Sequence, residues 1–228
     1  MKIGFVVAMD AEYAPFLDKL GSLVETTVVA GVEFCRYAYR GKEIFLAKCG
    51  IGEIAASAAT ALLIGHFGCE RIVNFGLVGT LRSELRGGTV VLVKDVVHYD
   101  CDITAFGHKL GAPADLASPF LLSDLDMVVR LTAAFDGSVL PVVRLASGDK
   151  FIADSAFSAK IISDFSADIC DMEGAGIALV CVRAGIPFTM VKLVSDGADE
   201  GATDDFTASK NALLSHSFDL VFSVFDLA

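Results

Sequence analysis

The most restrictive feature of this sequence is that short, continuously apolar segments alternate with segments of helical periodicity along most of its length. Residues 3–9 and 188–194 are the clearest apolar segments. A strand is apolar throughout when helices cover both faces of its sheet, as in parallel sheets. We therefore predict an α/β fold in three layers, α/β/α, around a central mixed, mainly parallel sheet, formed by a single domain of residues 1–228.

The remaining patterns predict the other elements of this fold. Short glycine connections at Gly31 and Gly41 predict antiparallel hairpins between strands at residues 24–30, 33–40 and 43–49. Further strands are predicted at residues 71–75, 89–97, 139–146 and 169–172. Helices are predicted at residues 10–20, 53–67, 125–135, 154–165, 173–184 and 204–225, with Asp10 and Asp154 as N-caps. Loops are expected over residues 76–88, which include four glycines, and over residues 100–119.

Composition limits the classes of function. The chain has 18 Lys and Arg against 29 Asp and Glu, a net charge of −11, and no basic cluster, so we expect no nucleic-acid partner. Its apolar stretches are too short for a membrane span, and Asp10 and Glu12 follow the apolar start at once, which argues against a secretion signal. Six scattered cysteines without C-x-x-C spacing indicate reduced thiols, so we expect a cytoplasmic protein.

Two motifs suggest chemistry for which we find a simpler explanation. Residues 50–55, GIGEIA, match a dinucleotide-binding fingerprint, but other strands precede the motif, whereas that fingerprint belongs to the first unit of its domain. The glycines equally permit close packing of strand and helix, and the helix N-terminus attracts an anion or a hydroxyl. His98, Asp100 and Asp102 alternate as metal ligands can, but also as polar residues do at the exposed end of a strand.

Three acidic residues at the ends of predicted strands are harder to explain as solvated surface. Glu12 follows the first strand, Glu173 lies at a strand-to-helix junction in CDMEGAG, and Asp196 ends an apolar strand in LVSDGAD. An ordinary helix cap would explain Glu173 or Asp196 taken alone. Because ligands in such folds bind beyond the carboxyl ends of the strands, we predict that the three carboxyl groups share one site.

Six segments then carry a resemblance to a known family: MKIGFVVAMDAE, CGIGEIAASAATALL, YDCDITAFG, SGDKFIADS, CDMEGAGIALVC and PFTMVKLVSDGADEGATDDF. In the same order and nearly end to end, they resemble the 5′-methylthioadenosine/S-adenosylhomocysteine nucleosidases of the nucleoside phosphorylase/hydrolase superfamily. The resemblance implies a nucleoside phosphorylase-like fold and hydrolysis of the N-glycosidic bond of 5′-thio-substituted adenosines, with release of adenine. It implies no metal and no organic cofactor.

The resemblance also implies a role for each site residue. As catalytic residues, Glu12 would activate a water, Asp196 would protonate the purine at N7, and Glu173 would hold the ribose hydroxyls. The substrate-binding residues would be Met9 and Met172 at the sugar, Phe151 and Ile152 at the adenine, Ser195 beside Asp196, and Ile51 and Phe206 at the 5′-substituent. Phe106 and Pro113 match positions that family members lend across a homodimer interface to the neighbouring subunit's pocket.

The two acid–base roles require different protonation states. We expect an apolar strand end to raise the pKa of Asp196 and a wetter loop to leave Glu12 ionised. Leu77 replaces a serine or threonine of many relatives, and Lys192 replaces an arginine. These departures keep alternatives open: another purine nucleoside hydrolase acting on a 5′-deoxyadenosine, futalosine-like or inosine-type substrate, a phosphate-dependent phosphorylase, or a non-catalytic nucleoside-binding domain.

Overall fold

The computed structural model describes residues 1–134, 140–209 and 218–228, and these residues form one mixed β-sheet covered by helices. The strands are β1 Lys2–Val7, β2 Leu23–Val29, β3 Val32–Tyr39, β4 Lys42–Lys48, β5 Arg71–Thr80, β6 Val90–His98, β7 Phe120–Leu122, β8 Val142–Ser147, β9 Ile169–Asp171 and β10 Phe188–Asp196. The helices are α1 Asp10–Leu20, α2 Glu53–Gly65, α3 Leu125–Ala134, α4 Ser155–Phe165, α5 Gly174–Ala184, α6 Ala202–Ser209 and α7 Phe218–Leu227, with a 3-10 helix at Thr104–Phe106.

Parallel ladders form the centre of the sheet. Strand β1 pairs with β4 and β5, β5 pairs with β10, and β8 pairs with β6 and β9. The predicted hairpins β2–β3–β4 are present, and β10–β6, β5–β9 and β6–β7 are also antiparallel. Strand β5 pairs with β10, β10 with β6, β6 with β8, β8 with β9, and β9 with β5. The series of pairings therefore closes on itself, and the ends of these strands lie around a common centre.

The helices cover two faces of this sheet. Neighbouring residues of β1 point to opposite faces, so Phe5 packs in a cluster with α1, α3 and α7, whereas Val6 packs in another with α2 and α5. This explains why the first strand is apolar throughout. The predicted α/β class with three layers and a mixed sheet is confirmed. No helix within the described ranges is long and apolar enough to cross a membrane.

The expected loop at Gly76 is wrong, because β5 continues as a strand to Thr80. A Cβ atom on Gly76 would lie 3.3 Å from Glu12 Oε1, and one on Gly79 would lie 2.8 Å from Asp196 Oδ1. These glycines therefore make room for carboxyl groups that approach the strand, and they do not form a turn.

The predicted first and last helices differ from the structure at their ends. The N-cap of α1 is Met9 rather than Asp10, and the Glu12 carboxylate accepts the Met9 N–H at 3.1 Å. Asp154 caps α4 as predicted, since its side chain accepts the Phe157 N–H. The helix predicted at residues 204–225 corresponds to α6 and α7, with residues 210–217 outside the described part. The predicted helix end at Phe135 and strand start at residue 139 also fall outside it.

We predict that Gly79→Ala destabilises the protein by about 1–3 kcal/mol, because the added methyl group overpacks the space occupied by Asp196. Urea unfolding followed by circular dichroism measures this change. Gly65→Ala is the matched control: a Cβ at this helical position meets nothing within 4 Å, so alanine should be neutral or stabilising. Equal unfolding midpoints for the two variants would show that β5 relaxes around the extra carbon at no cost.

Candidate active site

A cavity of about 350 Å³ lies at the carboxyl ends of β1, β5, β9 and β10. This is the edge of the sheet where ligands of α/β folds bind. Ten of the twelve predicted site residues line it: Met9, Glu12, Ile51, Phe151, Ile152, Met172, Glu173, Ser195, Asp196 and Phe206. The structure therefore brings together carboxyl groups that are up to 184 positions apart in the chain (196 minus 12).

Phe106 and Pro113 are not among the residues lining this cavity. Phe106 belongs to the 3-10 helix and is 82% exposed, whereas Pro113 is buried within the loop that follows. The side chain of Phe106 is thus largely in solvent and does not line the cavity.

Glu12 is held by backbone groups of the turn that follows β1 and of β5. Its Oε2 accepts the N–H groups of Ala8 at 2.9 Å and Met9 at 3.1 Å, and its Oε1 accepts that of Leu77 at 2.9 Å. The expectation of a wetter loop is wrong, because Glu12 is only 2% exposed in the first turn of α1. Burial raises its pKa, while the three N–H groups and the Lys192 charge oppose that rise. The pKa of Glu12 therefore stays above its ordinary value, and the hydrogen bonds limit the rise.

Asp196 lies at the end of β10, as the sequence predicts. Its Oδ2 accepts the Ser195 hydroxyl at 2.8 Å, and its Oδ1 accepts the Ala198 N–H at 3.0 Å. Burial raises the pKa of Asp196, and the nearby charges of Asp205 and Asp199 act in the same direction. The direction expected from an apolar strand end is thus the one found, and it favours a protonated, proton-donating form.

Glu173 lines the site at the strand-to-helix junction before α5. Its Oε1 accepts the Gly52 N–H at 2.9 Å. Burial, together with the charge of Asp171, raises the pKa of Glu173 to about 7. The second oxygen of the carboxyl group is available to hydroxyl groups of a ligand.

Backbone N–H groups of the GIGEIA segment already bind carboxylates of the protein itself. The Gly52 N–H binds Glu173, and the Glu53 N–H donates to Asp149 Oδ1 at 2.8 Å. The N-terminus of α2 therefore attracts anions, as expected, but side chains of this chain fill the place that a dinucleotide phosphate would need.

The alternating residues at the end of β6 do not converge as metal ligands. His98 Nε2 lies 2.7 Å from Asp100 Oδ1, and Asp102 instead accepts the N–H and hydroxyl of Thr104. Within the ranges that the structure describes, no three His, Cys, Asp or Glu side chains are grouped as a metal site.

Sequence reasoning missed the polar network behind the cavity. Lys192 is 1% exposed, and its Nζ lies 2.7 Å from Asp171 Oδ2. Asp171 Oδ1 is 2.5 Å from the Ser147 hydroxyl, which also contacts Glu53. Burial lowers the pKa of an isolated lysine, but Asp171, Glu173 and Glu12 together hold the pKa of Lys192 above its ordinary value. A lysine inside the apolar segment of β10 was the sequence signal for such a cluster of acids.

Apolar side chains form the rest of the wall. The rings of Phe151 and Phe206 meet edge to face, with their centroids 5.8 Å apart. Leu77 is 7% exposed and adds an aliphatic surface beside Glu12. The cavity thus combines an acid, a basic carboxylate and a hydroxyl-binding carboxylate with surfaces suited to an aromatic base and an apolar substituent.

Comparisons with known proteins agree with this arrangement. A family model described as the phosphorylase superfamily matches residues 2–225. The 5′-methylthioadenosine/S-adenosylhomocysteine nucleosidase of Shewanella denitrificans is 36% identical over 210 residues, 90% of each chain. The protein of the same name from Shewanella halifaxensis is 35% identical over 209 residues, again 90% of each chain.

Solved structures of similar proteins span the whole chain. A 5′-methylthioadenosine/S-adenosylhomocysteine nucleosidase of Helicobacter pylori aligns with a TM-score of 0.95 at 28% identity, covering 100% of this chain and 99% of the other. The futalosine hydrolase of Helicobacter pylori strain 26695 also aligns with a TM-score of 0.95, at 29% identity, covering 100% of this chain and 98% of the other.

The fold and the site together define a protein of the phosphorylase superfamily. Within that superfamily, the chain belongs to the 5′-methylthioadenosine/S-adenosylhomocysteine nucleosidase family, whose members match it along 90% of its length. The resemblance carried by the six sequence segments is confirmed.

We predict that the free energy of unfolding falls as the pH rises from about 5 to 8. Buried Glu173 and Glu53 have pKa values near 7 and 8, so the folded protein keeps protons that the unfolded chain has released. Tm measured by calorimetry should fall by about 10 °C over this range, and Glu173→Gln should reduce the slope. The exposed Glu84→Gln is the control and should keep it. A Tm that rises with pH would contradict the burial of neutral carboxyl groups.

Proposed function

We propose that this protein hydrolyses the N-glycosidic bond of 5′-thio-substituted adenosines and releases adenine, with methylthioadenosine and S-adenosylhomocysteine as substrates. Its relatives are nucleosidases, and the chain is accordingly an enzyme, an N-ribosyl hydrolase. The convergence of Glu12, Glu173 and Asp196 on one largely apolar cavity is the observation that carries this proposal.

In this mechanism, Asp196 is the general acid. Cleavage of the N-glycosidic bond leaves negative charge on the departing purine, and proton donation from Asp196 to N7 neutralises it. The raised pKa of Asp196 supports this role, because the carboxyl group must still carry its proton when the substrate arrives. Ser195 keeps the group in place through its 2.8 Å hydrogen bond.

Glu12 takes the opposite role as the general base. Backbone N–H groups fix both of its oxygens, so its remaining lone pairs can orient and deprotonate one water at the anomeric carbon. The ribose develops positive charge as the bond breaks, and the carboxylates of Glu12 and Glu173 stabilise that charge. The free oxygen of Glu173 accepts the ribose hydroxyls.

The apolar side chains of the cavity wall bind the adenine, the sugar and the 5′-substituent of the substrate. Phe151 and Ile152 contact the adenine, Met9 and Met172 pack on the sugar, and Ile51 and Phe206 receive the 5′-thio group. Ile51 and Phe151 are 60% and 42% exposed at the cavity. A homodimer would cover this opening, with Phe106 and Pro113 of each subunit completing the neighbouring pocket. The six free cysteines fit a reducing compartment, and we propose the cytoplasm.

Leu77 favours water over phosphate as the nucleophile. Binding of a phosphate requires several hydrogen-bond donors, and an aliphatic side chain beside Glu12 supplies none. A second candidate reaction is hydrolysis of a futalosine-like nucleoside, which the similarity to futalosine hydrolase favours.

We predict that the protein releases adenine from methylthioadenosine in phosphate-free buffer, and that added phosphate leaves the rate unchanged within about twofold. Chromatography of the products against methylthioadenosine, S-adenosylhomocysteine, 5′-deoxyadenosine, inosine and futalosine measures this. Formation of a sugar 1-phosphate would identify a phosphorylase. Binding without turnover would identify a nucleoside-binding domain, and at least tenfold faster cleavage of futalosine would favour the second candidate.

We predict that Asp196→Asn lowers kcat by about 10²–10⁴-fold, since the asparagine amide cannot donate a proton to N7. Substrate affinity should stay within about tenfold, because the amide still donates a hydrogen bond to the same atom. Single-turnover kinetics and equilibrium binding separate these two effects. Asp204→Asn, an exposed acid-to-amide change in α6, is the control. A fully active Asp196→Asn variant would remove Asp196 from the mechanism.

A further inference from the structure

Four polar side chains that the mechanism does not use form a buried network behind the cavity. Glu53 of α2 is 6% exposed, Ser147 of β8 0%, Asp171 of β9 7% and Lys192 of β10 1%. They come from four elements, so only the packing of the whole sheet brings them together. Two of them, Asp171 and Lys192, reach the groups that surround the substrate.

The hydrogen bonds of Ser147 require a proton on one neighbouring acid. The Ser147 Oγ contacts Glu53 Oε1 and also lies 2.5 Å from Asp171 Oδ1. A hydroxyl group has one proton to donate, and two ionised carboxylates can only accept. One of the two contacts must therefore be made by a protonated carboxyl group that donates to Ser147.

The surroundings of Asp171 favour its ionised form. Its Oδ2 lies 2.7 Å from the Lys192 ammonium, and its Oδ1 accepts the Gly174 N–H at 3.1 Å. Hydrogen bonds from a cation and from backbone N–H groups stabilise a carboxylate. The proton therefore belongs to Glu53.

The surroundings of Glu53 favour its neutral form. Asp171 and Glu173 are close enough to raise its pKa by their charges, Asp149 binds the Glu53 backbone N–H, and Tyr99 lies near enough to respond to it. All of these facing groups are acidic. Together with burial, they raise the pKa of Glu53 to about 8. Its Oε2 accepts the Gly176 N–H, and this hydrogen bond and the one with Ser147 oppose part of that rise.

We propose that Glu53 is held in the folded protein as a neutral carboxylic acid, whose O–H donates to Ser147 while Ser147 donates to Asp171. Glu53 thereby acts as a positioning residue: it fixes Asp171 and, through Asp171, the ammonium group of Lys192. The protonation state rests on the hydrogen bonds of Ser147 and on the burial of Glu53 among acidic groups, whereas its effect on catalysis rests on the proposed nucleosidase function.

Lys192 connects the buried network to the site. Its ammonium group acts on both Glu12 and Glu173, and a Cβ on Gly76 would lie 3.2 Å from Lys192 Nζ and 3.3 Å from Glu12 Oε1. Ionisation of Glu53 leaves Ser147 with one proton between two carboxylates and adds negative charge behind the site. Both changes disturb the ion pair that places Lys192 beside the general base.

The first experiment measures the protonation state without any substrate. A glutamine at position 53 reproduces the pattern of the neutral acid, with its amide donating to Ser147 and its carbonyl accepting from Gly176. Because an acid with a raised pKa costs stability as the pH rises between its unfolded and folded pKa values, Tm of Glu53→Gln minus Tm of wild type should increase by about 5 °C between pH 5 and pH 8. Difference infrared spectra at pH 7, wild type minus Glu53→Gln, should show one protonated-carboxyl band, because any band of Asp196 and Glu173 is shared by both proteins and cancels.

Asp171→Asn is the matched variant. If Glu53 carries the proton, this change breaks the pair with Lys192 and lowers Tm at every pH, and the infrared band remains. If Asp171 carries the proton instead, Asp171→Asn removes the band and Glu53→Gln does not. That second result would overturn the proposal, whatever substrate the enzyme uses.

The second experiment measures the catalytic consequence with methylthioadenosine. In wild type, kcat/KM should include a decrease of about tenfold between pH 7 and pH 9 that follows the ionisation of Glu53, given its pKa near 8. Glu53→Gln should lack this decrease, Glu53→Ala should lose activity at every pH, and the exposed Glu84→Gln should match wild type. An unchanged alkaline profile in Glu53→Gln would refute the positioning role. Absence of turnover in every variant, including wild type, would instead refute the proposed function.

Discussion

The interaction on which the site depends is the ion pair between Lys192 and Asp171, both almost completely buried. A buried charge is stable only when it is paired and hydrogen-bonded. Here one ammonium group lies among several carboxyl groups, and its charge offsets the burial of Glu12 and Glu173. The cluster keeps carboxyl groups inside an otherwise apolar sheet edge, with their pKa values displaced toward neutrality.

Close approach of backbone and side chains makes this cluster possible. Gly76 and Gly79 keep β5 free of side chains where Glu12 and Asp196 approach it. Gly176 does the same at the start of α5, where a Cβ would lie 2.5 Å from the Glu53 carbonyl oxygen. Glycines of β5 and α5 thus provide space for Glu12, Asp196 and Glu53.

Glu12 and Asp196 differ in their hydrogen bonds more than in their burial. Glu12 accepts three backbone N–H groups and responds to Lys192, and all of these favour its ionised form. Asp196 accepts one hydroxyl and one N–H group and faces the charges of Asp205 and Asp199. The two environments therefore differ in the number of hydrogen-bond donors and in the sign of nearby charge. The sequence expectation of a wet Glu12 is wrong, whereas a raised pKa of Asp196 is the direction that the structure gives.

Local sequence determined the class of fold, the hairpins at Gly31 and Gly41, and the positions of Glu12, Glu173 and Asp196 at strand ends, because periodicity and chain direction are properties of neighbouring residues. It did not reveal that β5 continues through Gly76 or that Glu53, Ser147, Asp171 and Lys192 meet. Those facts depend on contacts between residues far apart in the chain, such as Glu53 and Ser147, which are 94 positions apart, and on desolvation that exists only once α2, α5 and the sheet are packed. Tertiary structure alone decided which carboxyl groups keep their protons, since a pKa responds to burial and to charges brought near by folding.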